Sequence, residues 1–168
     1  MWYVIQTMAG REEAVRNEAS LLIPEADFKV IYRTGKYNCK GKWISKKKIM
    51  FAGYIFAVTD DIEAVIRNIG KITDYAKPVR LSDDYLPISY EEQKFLESLI
   101  GDDETVDESI GIIEGDEIIV KEGPLKGLES RIIRVDRHKR LAYIELNMCD
   151  RKVEAQLCLN VLEKRPAD

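Results

Sequence analysis

Residues 115–142, GDEIIVKEGPLKGLESRIIRVDRHKRLA, hold two short β-type runs joined by a Gly-Pro turn and followed by a tight basic cluster. Ile118, Val120, Ile132 and Val135 supply β-branched apolar positions, while Gly123, Pro124 and Gly127 punctuate them as turn residues. Arg131, Arg134, Arg137, Lys139 and Arg140 crowd one short span, so the pattern predicts a small β-barrel with a cationic edge. Downstream, LAYIELN (141–147) puts Ala142, Ile144 and Leu146 on one face, and RKVEAQL (151–157) follows as its partner. With no helix of useful length after residue 112, the stretch 112–168 reads as an SH3-like barrel of four or five strands.

Upstream, GDDETVDESIG (101–111) has glycine at both ends, dense acid and little apolar content, the composition of a solvated, flexible linker. The domain boundary is therefore expected there. Before it, WYVIQ (2–6) reads as a strand and REEAVRNEASLL (11–22) as a helix with Ala14, Leu21 and Leu22 on one face, stopped by Pro24. FKVIYR (28–33) is a second strand leading into a long basic excursion, and KKIMFAGYIFAVT (47–59) is a buried strand element. DDIEAVIRNIG (60–70) has the acidic first turn, apolar face and terminal glycine of a helix. A last helix starts near Ser89, whose hydroxyl suits an N-cap, and runs out at Gly101.

The chain has 168 residues and 45% hydrophobic content, enough for an ordinary core in one average domain or two small ones. No apolar run approaches the roughly 20 residues of a membrane span, so a soluble, cytoplasmic protein with no membrane partner is expected. Cys39, Cys149 and Cys158 lack CxxC spacing, which argues against a zinc site or a disulfide framework; no metal or cofactor is expected. His138 is the only histidine, and its basic neighbours suit phosphate contact better than base catalysis. With no nucleophile motif and no Walker or Rossmann glycine pattern, no catalytic residues are assigned and an enzyme is not expected. The net charge of −4 conceals local basic patches: residues 97–111 carry six acids and no base, and the rest of the chain is slightly positive.

The GPLKG turn at 123–127, with its flanking strand and basic cluster, resembles the KOW motif of NusG-type transcription elongation factors. MFAGYIFA (50–57) is similar to the family's aromatic strand motif, with Ala52 where proline is common, and TDYAKPVRL (73–81) replaces the family's second glycine-bearing block. The wording GPLKGLESRIIRVDRHKR is most similar to the LoaP paralogues, and Ser130 stands near where the housekeeping pattern has glycine. The resemblance implies an α+β N-terminal domain at 1–100 (NGN-like, an antiparallel sheet with flanking helices), the linker at 101–111, and the KOW barrel at 112–168.

Three candidate surfaces follow. Phe51, Tyr54 and Phe56 alternate only partly, so one or two should face away from the core as an exposed aromatic cleft, completed by Trp2 or Tyr3; full burial of all of them is the open alternative. The resemblance implies that this cleft grips the clamp helices of the RNA polymerase largest subunit. The excursion RTGKYNCKGKWISKKK (33–48) has seven basic residues and no acid, and Lys36, Lys40, Lys42, Trp43, Lys46, Lys47 and Lys48 mix charge with stacking surface; a solvated hairpin is the alternative. By resemblance it lies near upstream or non-template DNA. In the barrel, Arg131, Arg134, Arg137, His138, Lys139 and Arg140, extended by Arg151 and Lys152, fit an RNA hairpin by shape and charge, with ordinary surface charge as the alternative, and the resemblance implies a nascent RNA hairpin as the partner. The implied function is processive antitermination by a monomer; the alternative is a housekeeping factor whose barrel binds a ribosomal protein or a termination factor.

Overall fold

The computed structural model describes residues 1–72, 77–78 and 85–168. Of TDYAKPVRL, only Lys77–Pro78 lies inside the described residues. The chain forms two compact units that interleave along the sequence. The first comprises Met1–Ile31, Phe51–Phe95 and Asn147–Lys152; the second comprises Tyr32–Met50, Leu96–Leu146 and Val153–Asp168.

Strands are numbered along the whole chain. The first unit holds β1 (Trp2–Gln6), α1 (Glu12–Leu22), β2 (Asp27–Lys29), β5 (Tyr54–Val58), α2 (Ile62–Ile69) and β6 (Lys77–Pro78). Its antiparallel sheet has the order β2-β5-β1-β6, so the mixed α/β expectation holds. Along β1 the consecutive residues Trp2, Tyr3, Val4 and Ile5 are all buried, so both faces of the sheet are covered there, and only Gln6, at its end, is exposed. α2 is closed as its sequence predicts: Asp61 Oδ1 accepts the Ala64 N–H at 3.1 Å, and Gly70 follows the last turn.

α1 keeps its boundaries but not its expected face. Glu12, Val15 and Ala19 are its buried residues, with Ile23 fully enclosed just beyond, whereas Leu21 and Leu22 are 86% and 45% exposed. The inward stripe follows the i, i+3, i+7 positions from Glu12. The carboxylate at the head of that stripe holds backbone together: Glu12 Oε2 accepts the Gly10 N–H and Oε1 the Gly53 N–H, each at 2.7 Å. The Gly53 carbonyl in turn accepts the Thr7 N–H at 2.8 Å, so one buried side chain ties the α1 entry to the turn before β5 and the end of β1.

The second unit holds β3 (Tyr32–Cys39), β4 (Lys42–Ile49), β7 (Thr105–Val106), β8 (Ser109–Glu114), β9 (Glu117–Glu122), β10 (Ile132–Asp136), β11 (Leu141–Met148) and most of β12 (Arg151–Arg165). One sheet has the order β4-β3-β7 and the other β10-β11-β12-β8-β9, so the C-terminal region is all-β. Between α2 and β7 lies α3 (Tyr90–Leu99), whose start matches the expected cap: Ser89 Oγ accepts the Glu92 N–H at 3.2 Å. Within GPLKG, Leu125 is fully buried and its N–H is held by Ser109 Oγ at 3.0 Å. Arg131 ends a short 3-10 turn, Glu129–Arg131, that precedes β10.

Residues 101–111 are not a solvated tether. Thr105, Val106 and Ser109 are buried, β7 pairs parallel to β3 through Tyr32↔Thr105 and Arg33↔Val106, and β8 begins at Ser109. Acid density suggested solvation because the compensating charge is supplied from far away in sequence. Glu108 pairs with Lys36 at 3.0 Å, and Asp103 meets Lys47 at 3.7 Å.

Candidate nucleic-acid interface

The basic excursion folds into the β3–β4 hairpin. Cys39↔Lys42 is its last pair, leaving Lys40 and Gly41 as a two-residue loop with φ of +50° and +82°, the type I′ geometry that glycine favours. Asn38 Oδ1 locks the loop by accepting the Gly41 N–H at 2.9 Å. The two-residue strand period then sorts the side chains by face. Lys46 and Lys48 reach the Tyr37 ring, with Nζ 5.8 and 4.7 Å from its centroid, while Lys47 lies 4.3 Å from that of Tyr32 on the other face.

Across from the hairpin is the turn between β10 and β11. Asp136 Oδ1 accepts the Lys139 N–H at 2.9 Å, and Arg140 closes the turn with φ +53°, its carbonyl accepting the Leu159 N–H at 3.0 Å. This fixes Arg137, His138 and Lys139 as exposed residues. Arg140 instead lays its guanidinium over Trp43, 3.9 Å from the ring centroid. Between hairpin and turn lies a groove of about 340 Å³. Arg33, Lys36, Tyr37, Trp43 and Lys48 line one side, His138, Lys139, Leu141 and Gln156 the other, and among the described residues no carboxylate lines it. Arg33 is 8% exposed, donates to Gln156 Oε1 at 3.2 Å, and has its pKa drawn below the ordinary arginine value by desolvation.

The sequence treated the hairpin set and the barrel set as separate surfaces, and the structure brings Trp43, Lys36 and Lys48 together with His138, Lys139 and Arg140. Gln156 and Leu141 are members that sequence reasoning did not single out, and Arg33 was counted only among the seven basic residues of the excursion; Gln156 carries no local mark because it reaches the groove by long-range pairing. Two expected members have ion-pair partners of their own. Arg134 stacks 3.4 Å from the Tyr143 centroid and pairs with Glu154 at 2.9 Å. Lys36, 21% exposed, has its ammonium on Glu108. Lys40 and Lys42 are exposed at the hairpin tip.

Two expectations need correction. Arg151 and Lys152 do not extend the 137–140 surface: that turn precedes β11 and theirs follows it, and the two fall in different units. The exposed aromatic cleft is also absent. Trp2, Tyr3, Phe51 and Phe56 are all buried, Phe56 sits with its ring centroid 5.7 Å from those of both Trp2 and Phe51, and only Tyr54 is half-buried. Consecutive residues of β1 and of β5 are buried, so both faces of this sheet are covered, which partial alternation does not reveal.

Beneath the hairpin, Cys158 is 1% exposed with Sγ 3.6 Å from Glu108 Oε2; burial, followed by the Glu108 carboxylate, pushes its pKa up to about 12. Below pH 9 the thiol is protonated folded or unfolded and adds no pH dependence. From there upward the unfolded chain releases the proton while the folded one holds it, so stability falls by about 1.4 kcal/mol per pH unit toward 12. Urea midpoints at pH 8, 9 and 10 should therefore drop more steeply for the parent than for Cys158→Ala; parallel slopes would rule this out. Exposed Cys39 should react with a thiol reagent first.

The family model described as "Transcription termination factor nusG" matches residues 1–97 of this chain. The transcription termination/antitermination protein NusG of Borreliella burgdorferi is 25% identical over 180 aligned residues, covering 97% of each chain. Among solved structures, "Domain interaction in Thermotoga maritima NusG" is similar at a TM-score of 0.44 and 17% identity, over 94% of this chain and 92% of that one. With the family model spanning more than half of its length, this chain belongs to the NusG family of transcription factors.

Proposed function

We propose that this protein is a specialised, non-enzymatic elongation factor that promotes processive antitermination, acting in the cytoplasm as a monomer. The N-terminal domain docks on the clamp helices of RNA polymerase, and Tyr54 is the one aromatic of the expected set that reaches the surface there. The five-stranded sheet serves as the SH3-like KOW domain and recruits the factor through a structured leader RNA. The observation that carries the RNA assignment is the β10–β11 turn, which presents Arg137, His138 and Lys139 exposed beside a groove lined, among the described residues, by no carboxylate. Two modest contacts on one chain raise each other's effective concentration, so neither need be tight alone.

The test is binding of the full chain to leader-RNA hairpins, against scrambled hairpins and duplex DNA, with a salt titration. One hairpin should be preferred, and Arg137→Ala/Lys139→Ala should weaken it and flatten the salt slope by about 1.5, two phosphate contacts' worth. Equal weak binding to every polyanion, DNA included, would sink the RNA assignment and favour the housekeeping role, with a ribosomal protein or termination factor as partner.

A further inference from the structure

We infer that the groove between the β3–β4 hairpin and the β10–β11 turn seats one unpaired nucleotide of the RNA, its base against Trp43, so that the hairpin and the basic turn are halves of a single recognition site. This rests on the RNA reading above and specifies what the RNA must offer. The 340 Å³ volume lies at the small end of ligand pockets, suited to a single splayed-out nucleotide rather than to a duplex. Its walls carry the two kinds of group that a nucleotide needs. Lys48 on the hairpin side and Lys139 on the turn side bring positive charge for the phosphate, with Arg33 enclosed between the walls and bound to Gln156.

For the base there is a fixed aromatic. Arg140 at 3.9 Å holds the Trp43 ring in one orientation, so a base joining that stack meets a surface already ordered. Tyr37, by contrast, has both Lys46 and Lys48 at its ring and is the less available of the two. Gln156 accepts from Arg33 through Oε1, which leaves its amide nitrogen as a donor for a base edge. Unpaired bases read by stacking and by edge hydrogen bonds are the usual targets of sequence-specific RNA recognition. The hairpin lysines alone would predict only a diffuse polyanion surface; the Trp43–Arg140 stack inside a bounded groove is what implies a seat.

The experiment uses the full chain and the preferred leader-RNA hairpin. The protein has two tryptophans, and Trp2 is 5% exposed in the first unit, so quenching of tryptophan emission on RNA addition should come from Trp43 and vanish in Trp43→Phe. Trp43→Ala should weaken binding roughly 5- to 100-fold, the range for loss of one stacked base, while Trp43→Phe retains most of the affinity and shows that the hairpin still folds. A scan of single abasic sites through the RNA loop should find one position that weakens the parent to the same degree and leaves Trp43→Ala unaffected. If the parent binds the hairpin and Arg137→Ala/Lys139→Ala abolishes it, yet Trp43→Ala binds within twofold and no abasic site matters, the seat is wrong and the RNA function stands. If no leader RNA binds the parent, the functional reading itself fails. A DNA hairpin of the same sequence binding equally well would overturn the assignment to RNA.

Discussion

Gly123→Ala should lower the melting temperature of the protein by about 10 °C. Gly123 has φ +97°, and a Cβ built there would lie 2.6 Å from both the Glu108 carbonyl oxygen and Ser109 Cα. The backbone conformation costs an L-residue roughly 1–2 kcal/mol, and forcing an atom into rigid backbone adds about 1–3 kcal/mol. At roughly 2–4 °C per kcal/mol for a chain of this length, the sum reaches that shift. Gly127→Ala is the matched control: its φ is +79° but nothing lies within 4 Å of the added Cβ, so only the conformational part, about 1 kcal/mol, should appear. Equal losses in the two variants would show that contact with β8 plays no part. Both glycines belong to the turn that carries the family resemblance; only one of them is required by packing.

Glu12→Ala should cost the first unit about 3–5 kcal/mol, read as a fall in the urea midpoint at unchanged slope. Each bond from a carboxylate to a backbone N–H contributes roughly 1.5–3 kcal/mol, and removing the acceptor leaves the Gly10 and Gly53 amides without it, the latter in a buried setting. Glu12→Gln keeps one acceptor oxygen but turns an NH2 toward the other amide, so it should recover less than half of the loss. A variant within about 0.5 kcal/mol of the parent, the range of ordinary surface substitutions, would mean that water or a shifted backbone replaces the carboxylate. Nothing in REEAVRNEASLL distinguishes Glu12 from Glu13; the difference is that position 12 heads the stripe containing Val15 and Ala19.

The elements set by local chemistry were legible. Ser89, Asp61 and Gly70 marked helix ends because a cap is a contact between neighbours in sequence, and LAYIELN showed its buried face because strand periodicity is local. The α1 face was misread since Leu21 and Leu22 are apolar yet fall off the stripe that starts at Glu12. The aromatics of β1 and β5 were misread because both faces of this sheet are covered, and what covers the second face lies far away in sequence and leaves no mark on alternation.

By itself the sequence determined the β-rich C-terminal region, the α/β start and the family, which rest on short motifs and local periodicity. Only the tertiary structure decided that residues 32–50 pack with the C-terminal strands, that the acids of 103 and 108 lie on lysines 47 and 36, and that Trp43 meets Arg140. The physical reason is the range of the interactions: caps, turns and strand periods are written in adjacent residues, whereas charge neutralisation and the walls of a groove depend on partners 56 to 123 positions apart.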